Sequence, residues 1–136
     1  MQPKAVKLCK MKSVLFVGLG GFLGSVARYL MGALAIKLSG SGLFPIATFA
    51  VNIIGCLLIG LCAELMASRE LVQPETRVFI ITGILGGFTT FSAFGYETFA
   101  LIRGGHQLVA VTVIIAQVVG GLCAVWLGTF IATMFK

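Results

Sequence analysis

Gly83-Ile84-Leu85-Gly86-Gly87-Phe88-Thr89-Thr90-Phe91-Ser92-Ala93-Phe94 is the stretch on which the reading of this chain turns. It lies inside a run from Val78 to Tyr96 that holds no Asp, Glu, Lys or Arg. With its flanks, about Thr76 to Ile102, the run is long enough to cross roughly 30 Å of hydrocarbon as a helix rising about 1.5 Å per residue. Two adjacent glycines and three hydroxyl residues then fall at mid-membrane depth, where helix propensity is locally poor. A helix that breaks there frees carbonyls and N–H groups in a place without bulk water. Such a break is tolerated only where protein buries it or where it lines an ion site. Its first half ends rich in carbonyls, which suits a cation, and its second half begins rich in N–H groups, which suits an anion.

The rest of the chain has the same solvent. Of 136 residues, 59% are hydrophobic and only 10% are charged, against about 25% charged in a soluble domain. No charged residue occurs from Leu38 to Ala63 or from His106 to Phe135, and Ser13 to Ile36 holds only Arg28. Four transmembrane helices follow: Ser13 to Ile36, Ile46 to Met66, Thr76 to Ile102, and a fourth running to Met134. The fold class is therefore all-α integral membrane, with a basic N-terminal tail over 1–12, to which no structure is assigned, and one membrane domain over 13–136. The first run is too long for a signal-peptide core and lacks a small-residue cleavage site, so it is kept as a span. Ser39-Gly40-Ser41-Gly42 with Pro45, the polar Ser68 to Glu75 segment, and Arg103-Gly104-Gly105-His106 are the connections. Links this short make successive spans antiparallel neighbours.

Lys4, Lys7, Lys10, Lys12, Arg69, Arg77 and Lys136 lie on the side of the termini, against Lys37 and Arg103 opposite, which favours cytoplasmic termini. The net charge of +6 sits at span ends and forms no aromatic-interleaved surface, so nucleic acid is not a partner. Cys9, Cys56, Cys62 and Cys123 have no metal-ligand or CxxC spacing and read as small hydrophobes. Gly20 and Gly24, Gly83 and Gly87, and the Gly120, Ala124, Gly128 stripe are spaced for close helix contact. Asn52 is the one amide of the second span, near the midplane, where clamping two helices and offering its two N–H donors to an anion are both open. Arg28 is expensive at its depth unless it snorkels or lines a watery vestibule. Glu97 closes the third span, and pairing with a basic group or facing solvent are equally open.

Three motifs in order carry a resemblance. Gly20-Gly21-x-x-Gly24-x-x-x-Arg28-Tyr29, Thr48-x-x-Val51-Asn52-x-x-Gly55, and Gly86-Gly87-x-Thr89-Thr90-Phe91-Ser92-x-Phe94 with Glu97 resemble the Fluc (CrcB) fluoride channels over nearly all of residues 13–136. The resemblance implies a fluoride-selective passive channel in a cell membrane, such as a bacterial inner membrane, exporting fluoride from the cytoplasm. It further implies an antiparallel, dual-topology homodimer with two pores and a structural sodium ion. Carried over by position, Asn52, Phe91, Phe94, Ser92 and Thr90 line the fluoride pore, Arg28 lies in a vestibule, and backbone carbonyls of Gly86 and Thr89 hold sodium. The two phenylalanines would present ring edges, the positive part of the ring quadrupole, toward the ion. The chain departs from the family pattern at Ala93, Gly95 and Cys56, where hydroxyls are common. On the fourth span the candidate line is Val113, Gln117 and Gly121 with Thr112 alongside, which leaves Gln117 as the substitute donor.

Two other classes are weighed. A small proton-coupled multidrug-type exporter also uses four spans, but it needs an acid at mid-membrane, and Glu64 and Glu97 lie near span ends. A nonconducting assembly subunit explains the glycines but not Asn52 beside the break. No nucleophile and base can be assembled around the single His106, so the chain is not read as an enzyme.

Overall fold

The computed structural model describes the backbone of residues 3–40, 42–68 and 73–135, with side chains from residue 11 onward apart from Ser68. The side chains of Lys4, Lys7, Cys9 and Lys10, and the residues Ser41, Arg69, Glu70 and Lys136, lie outside what is described.

Four long apolar helical stretches are present, as expected: Met11–Ser39, Ile46–Ala67, Pro74–Arg103 and Gln107–Thr133. The first belongs to helix α1 (Pro3–Ser39) and the second to α2 (Ile46–Ser68). The third combines α3 (Pro74–Arg77), a π-helical segment (Val78–Leu85), α4 (Gly86–Phe88) and α5 (Phe91–Arg103), and the fourth is α6 (Gln107–Thr133). The helical backbone of α1 begins earlier than the span boundary at Ser13. Pro3 fits the first turn of a helix, where its missing N–H costs nothing, and the Lys, Leu, Ala and Met that follow are good helix formers. Polarity limits where the membrane begins, not where the helix does. Gly40 and Gly105, at φ +75° and +80°, close the two short links on one side of the bundle.

α2 packs most extensively on α6, and α1 on the π segment, with smaller contacts to α2 and α4. The α2–α6 contact is a backbone approach: a Cβ on Gly128 would run into the Leu57 carbonyl, and one on Gly60 into the Val125 carbonyl. The inward face of α6 is Ala110, Val113, Gln117, Gly121, Ala124, Gly128 and Ala132, a helical stripe of small residues with one amide in it. The candidate line Val113, Gln117, Gly121 is on that stripe, whereas Thr112 is exposed and bonds back to the Leu108 carbonyl at 2.9 Å. Most large apolar side chains face outward, among them Tyr29, Tyr96, Leu108 and Trp126. That distribution suits lipid, which is as apolar as they are.

A candidate ion site at the helix break

The third span breaks after Phe88. Thr89 (φ −86°, ψ 160°) and Thr90 (φ −152°, ψ 113°) are extended, and α5 restarts at Phe91. The backbone polar groups of Thr89 and Thr90 each have a specific partner. Thr89 N still donates to the Leu85 carbonyl at 3.1 Å. The Thr89 carbonyl accepts from Arg28 Nη1 at 3.2 Å. Thr90 N donates to Asn52 Oδ1 at 2.8 Å while Asn52 Nδ2 donates to the Thr90 carbonyl at 3.0 Å. The Asn52 side chain therefore pairs with Thr90 as another peptide group would. Thr90 Oγ1 accepts from Ala93 N at 3.2 Å, capping α5. A break in an apolar span persists here because α1 and α2 each send one polar side chain to it.

On one side of the break is a groove of about 460 Å³ between α2, the third span and α6. Asn52, Thr90, Phe91, Phe94 and Gln117 line it, as do Gly86 and Thr89. Cys56, one turn from Asn52, is on the same wall. Asn52 Nδ2 also reaches Gln117 Oε1 at 3.4 Å, and Gln117 Nε2 is buried with no hydrogen-bond partner among the described residues. Phe91 and Phe94 meet edge-on, with centroids 5.4 Å apart and planes at 63°. They differ in environment: Phe94 is packed with Leu101, Ala110 and Val113, whereas Phe91 is 82% exposed.

Arg28 and Ser92 are not in this groove. With Thr48 and Thr90 they line a second hollow of about 330 Å³ on the other side of the break. Ser92 Oγ lies 3.2 Å from Thr90 Oγ1. The structure thus brings five of the six candidate pore residues into one groove and sets the sixth, with Arg28, across Thr90 from it.

Glu97 takes neither of the roles left open for it. Its Oε1 accepts from Thr48 Oγ1 at 2.8 Å, and Thr48 is 5% exposed. Its Oε2 is buried without a hydrogen-bond partner among the described residues. The pairing joins the second and third motifs in space, from positions whose contact no helical periodicity foretells. Thr98 is also buried, and its hydroxyl has no hydrogen-bond partner among the described residues.

Residues 15–129 match the family described as CrcB-like protein, Camphor Resistance (CrcB). A protein of Chlorobaculum tepidum named fluoride-specific ion channel FluC is 51% identical over 126 residues, 93% of this chain and 98% of that one. Proteins of the same name from Methylobacillus flagellatus and Chloroflexus aurantiacus are 47% and 41% identical, over 87% and 92% of this chain and 92% and 98% of theirs. By the extent of these matches and by the three motifs that converge on its broken third span, this chain belongs to the CrcB family.

Proposed function

We propose that the chain is a fluoride-selective passive channel, which exports fluoride from the cytoplasm down its gradient and so lowers its toxicity. One observation carries this reading: an otherwise apolar groove, in a chain whose relatives are named fluoride channels, holds a hydrogen-bonded amide pair, half-buried Asn52 and buried Gln117, beside two edge-on phenylalanines. A small anion that sheds water in such a groove needs donors, which the amides supply, and tolerates ring edges, whose hydrogens carry the positive end of the quadrupole. Arg28 raises the local anion concentration from the second hollow, and Ser92 and Thr90 supply hydroxyls there. No carboxylate lines the groove, so the proton-coupled exporter has no acid where substrate would sit.

The working unit is a homodimer of oppositely oriented copies, in which the second copy covers the exposed Phe91 and completes two pores. A structural sodium ion belongs to this reading. Hard backbone oxygens of Gly86 and Thr89 suit it, and one lone pair of the Thr89 carbonyl remains beside the Arg28 bond. Two oxygens from one chain under-coordinate such an ion, so both copies contribute. When bound, sodium neutralises the carbonyl-rich end of the broken helix.

Purified protein in liposomes is expected to release fluoride, read by a fluoride electrode, and to retain chloride. Phe91→Ile is expected to lower the flux while the dimer stays intact by size exclusion. Well-folded protein that releases no fluoride would end the proposal.

A further inference from the structure

Asn52 is the residue that the family resemblance puts against the anion, yet both hydrogens of its amide have partners within the chain. One goes to the Thr90 carbonyl at 3.0 Å and the other toward Gln117 Oε1 at 3.4 Å. Its oxygen is held as well, because Thr90 N, a group that can only donate, points at Oδ1 from 2.8 Å. That contact fixes which end of the Asn52 amide is which. The orientation then passes outward. Nδ2 faces Gln117, so Gln117 must turn its oxygen to Asn52, since the opposite orientation would set two donors against each other. Its Nε2 is left on the far side, buried and without a partner among the described residues, on a residue only 9% exposed that lines the groove.

We infer that Gln117, not Asn52, makes the direct amide contact with the anion, and that Asn52 is a positioning residue that sets the direction of the Gln117 amide. The inference rests on the channel reading above and divides its roles. A buried amide NH₂ whose hydrogens have no acceptor is costly when empty, and a partly dehydrated small anion relieves that cost. Because the Gln117 oxygen is turned to Asn52, Gln117 itself presents only donors to the groove. A cation finds no ligand on the Gln117 side chain. The relay runs from the broken backbone, through one side-chain amide, to a second, so the break and the selectivity of the groove are one device.

Two variants and one spectrum test this. Gln117→Glu keeps the size and an oxygen for Asn52 but removes the donors, and Gln117→Met removes both. In liposomes each is expected to pass fluoride roughly tenfold to a hundredfold more slowly than the original chain, the range for losing a hydrogen bond to a charged partner, while eluting as the same species. Either folded variant that keeps the original rate overturns the assignment. Asn52 is the sole asparagine of the chain, so its side-chain ¹⁵N–H₂ signal is unambiguous, and Gln117's is found by its loss in Gln117→Met. In nanodiscs of the original chain, added fluoride is expected to shift the Gln117 amide while the Asn52 amide moves less, with no response to chloride. A shift confined to Asn52 overturns the proposal even if neither variant folds. Original-sequence vesicles that release no fluoride speak against the channel reading itself. Vesicles that do, with unaffected Gln117 variants, speak only against this division of roles.

Discussion

Asn52 illustrates how one side chain can be needed twice. At the sequence level its polarity in an apolar span left clamping and anion binding both open, and the structure adds a third use, closing the hydrogen bonds of a broken helix. Asn52→Ala would leave Thr90 N–H and C=O without partners in an apolar setting. Each such group costs about 1–3 kcal/mol, so the variant is expected to lose about 2–6 kcal/mol of stability, measured as a lower melting temperature in detergent. An unchanged melting temperature would show that water reaches the break and satisfies it. That an amide was needed was legible from the chain. That it pairs with Thr90 was not, because 38 residues separate the partners and nothing local sets the rotation of α2 about its axis.

At the level of elements, the third span is four pieces whose ends are dictated by what packs on them. Gly20 and Gly24 of α1 lie against the π segment. A Cβ on Gly24 would overlap the Ile84 carbonyl and come within 2.8 Å of Phe88 N. Gly24→Ala must therefore push α1 from the break and pull Arg28 from Thr89. It is expected to destabilise the fold by about 1–3 kcal/mol, as overpacking does, and to reduce fluoride flux. Gly18, on the same helix, has nothing within 4 Å. Gly18→Ala is expected to be neutral or stabilising by up to about 1 kcal/mol, the gain in helix propensity. Thermal unfolding of the two variants side by side checks the pair, and equal effects would mean that helix contact is not what these glycines serve. The i, i+4 spacing of Gly20 and Gly24 marked a contact face in the sequence. The wider turns of Val78–Leu85, which seat that face, had no counterpart in composition.

For the whole molecule, one copy leaves Phe91 and much of the α6 surface uncovered, and the proposed antiparallel dimer makes them an interface. Cross-linking in membranes is expected to give a species at twice 14.3 kDa, with tags at the N-terminus accessible from both sides. If sodium ties the copies together through Gly86 and Thr89, the melting temperature of the purified dimer should be higher in sodium chloride than in choline chloride. No difference between the two salts would remove the ion from the proposal.

What the sequence determined by itself is a matter of solvent and local chemistry. Runs without charge set the number of helices that must cross a membrane, and two glycines followed by hydroxyls set where the third could not stay helical. Those signals are local, because hydropathy and propensity act residue by residue. The tertiary structure decided which polar groups meet. Asn52 reaches Thr90 and Gln117, Arg28 reaches the Thr89 carbonyl, and Thr48 finds Glu97. Each of these depends on the rotation and depth of two helices set by contacts elsewhere along them, and a small turn of α2 would remake those of Asn52 and Thr48.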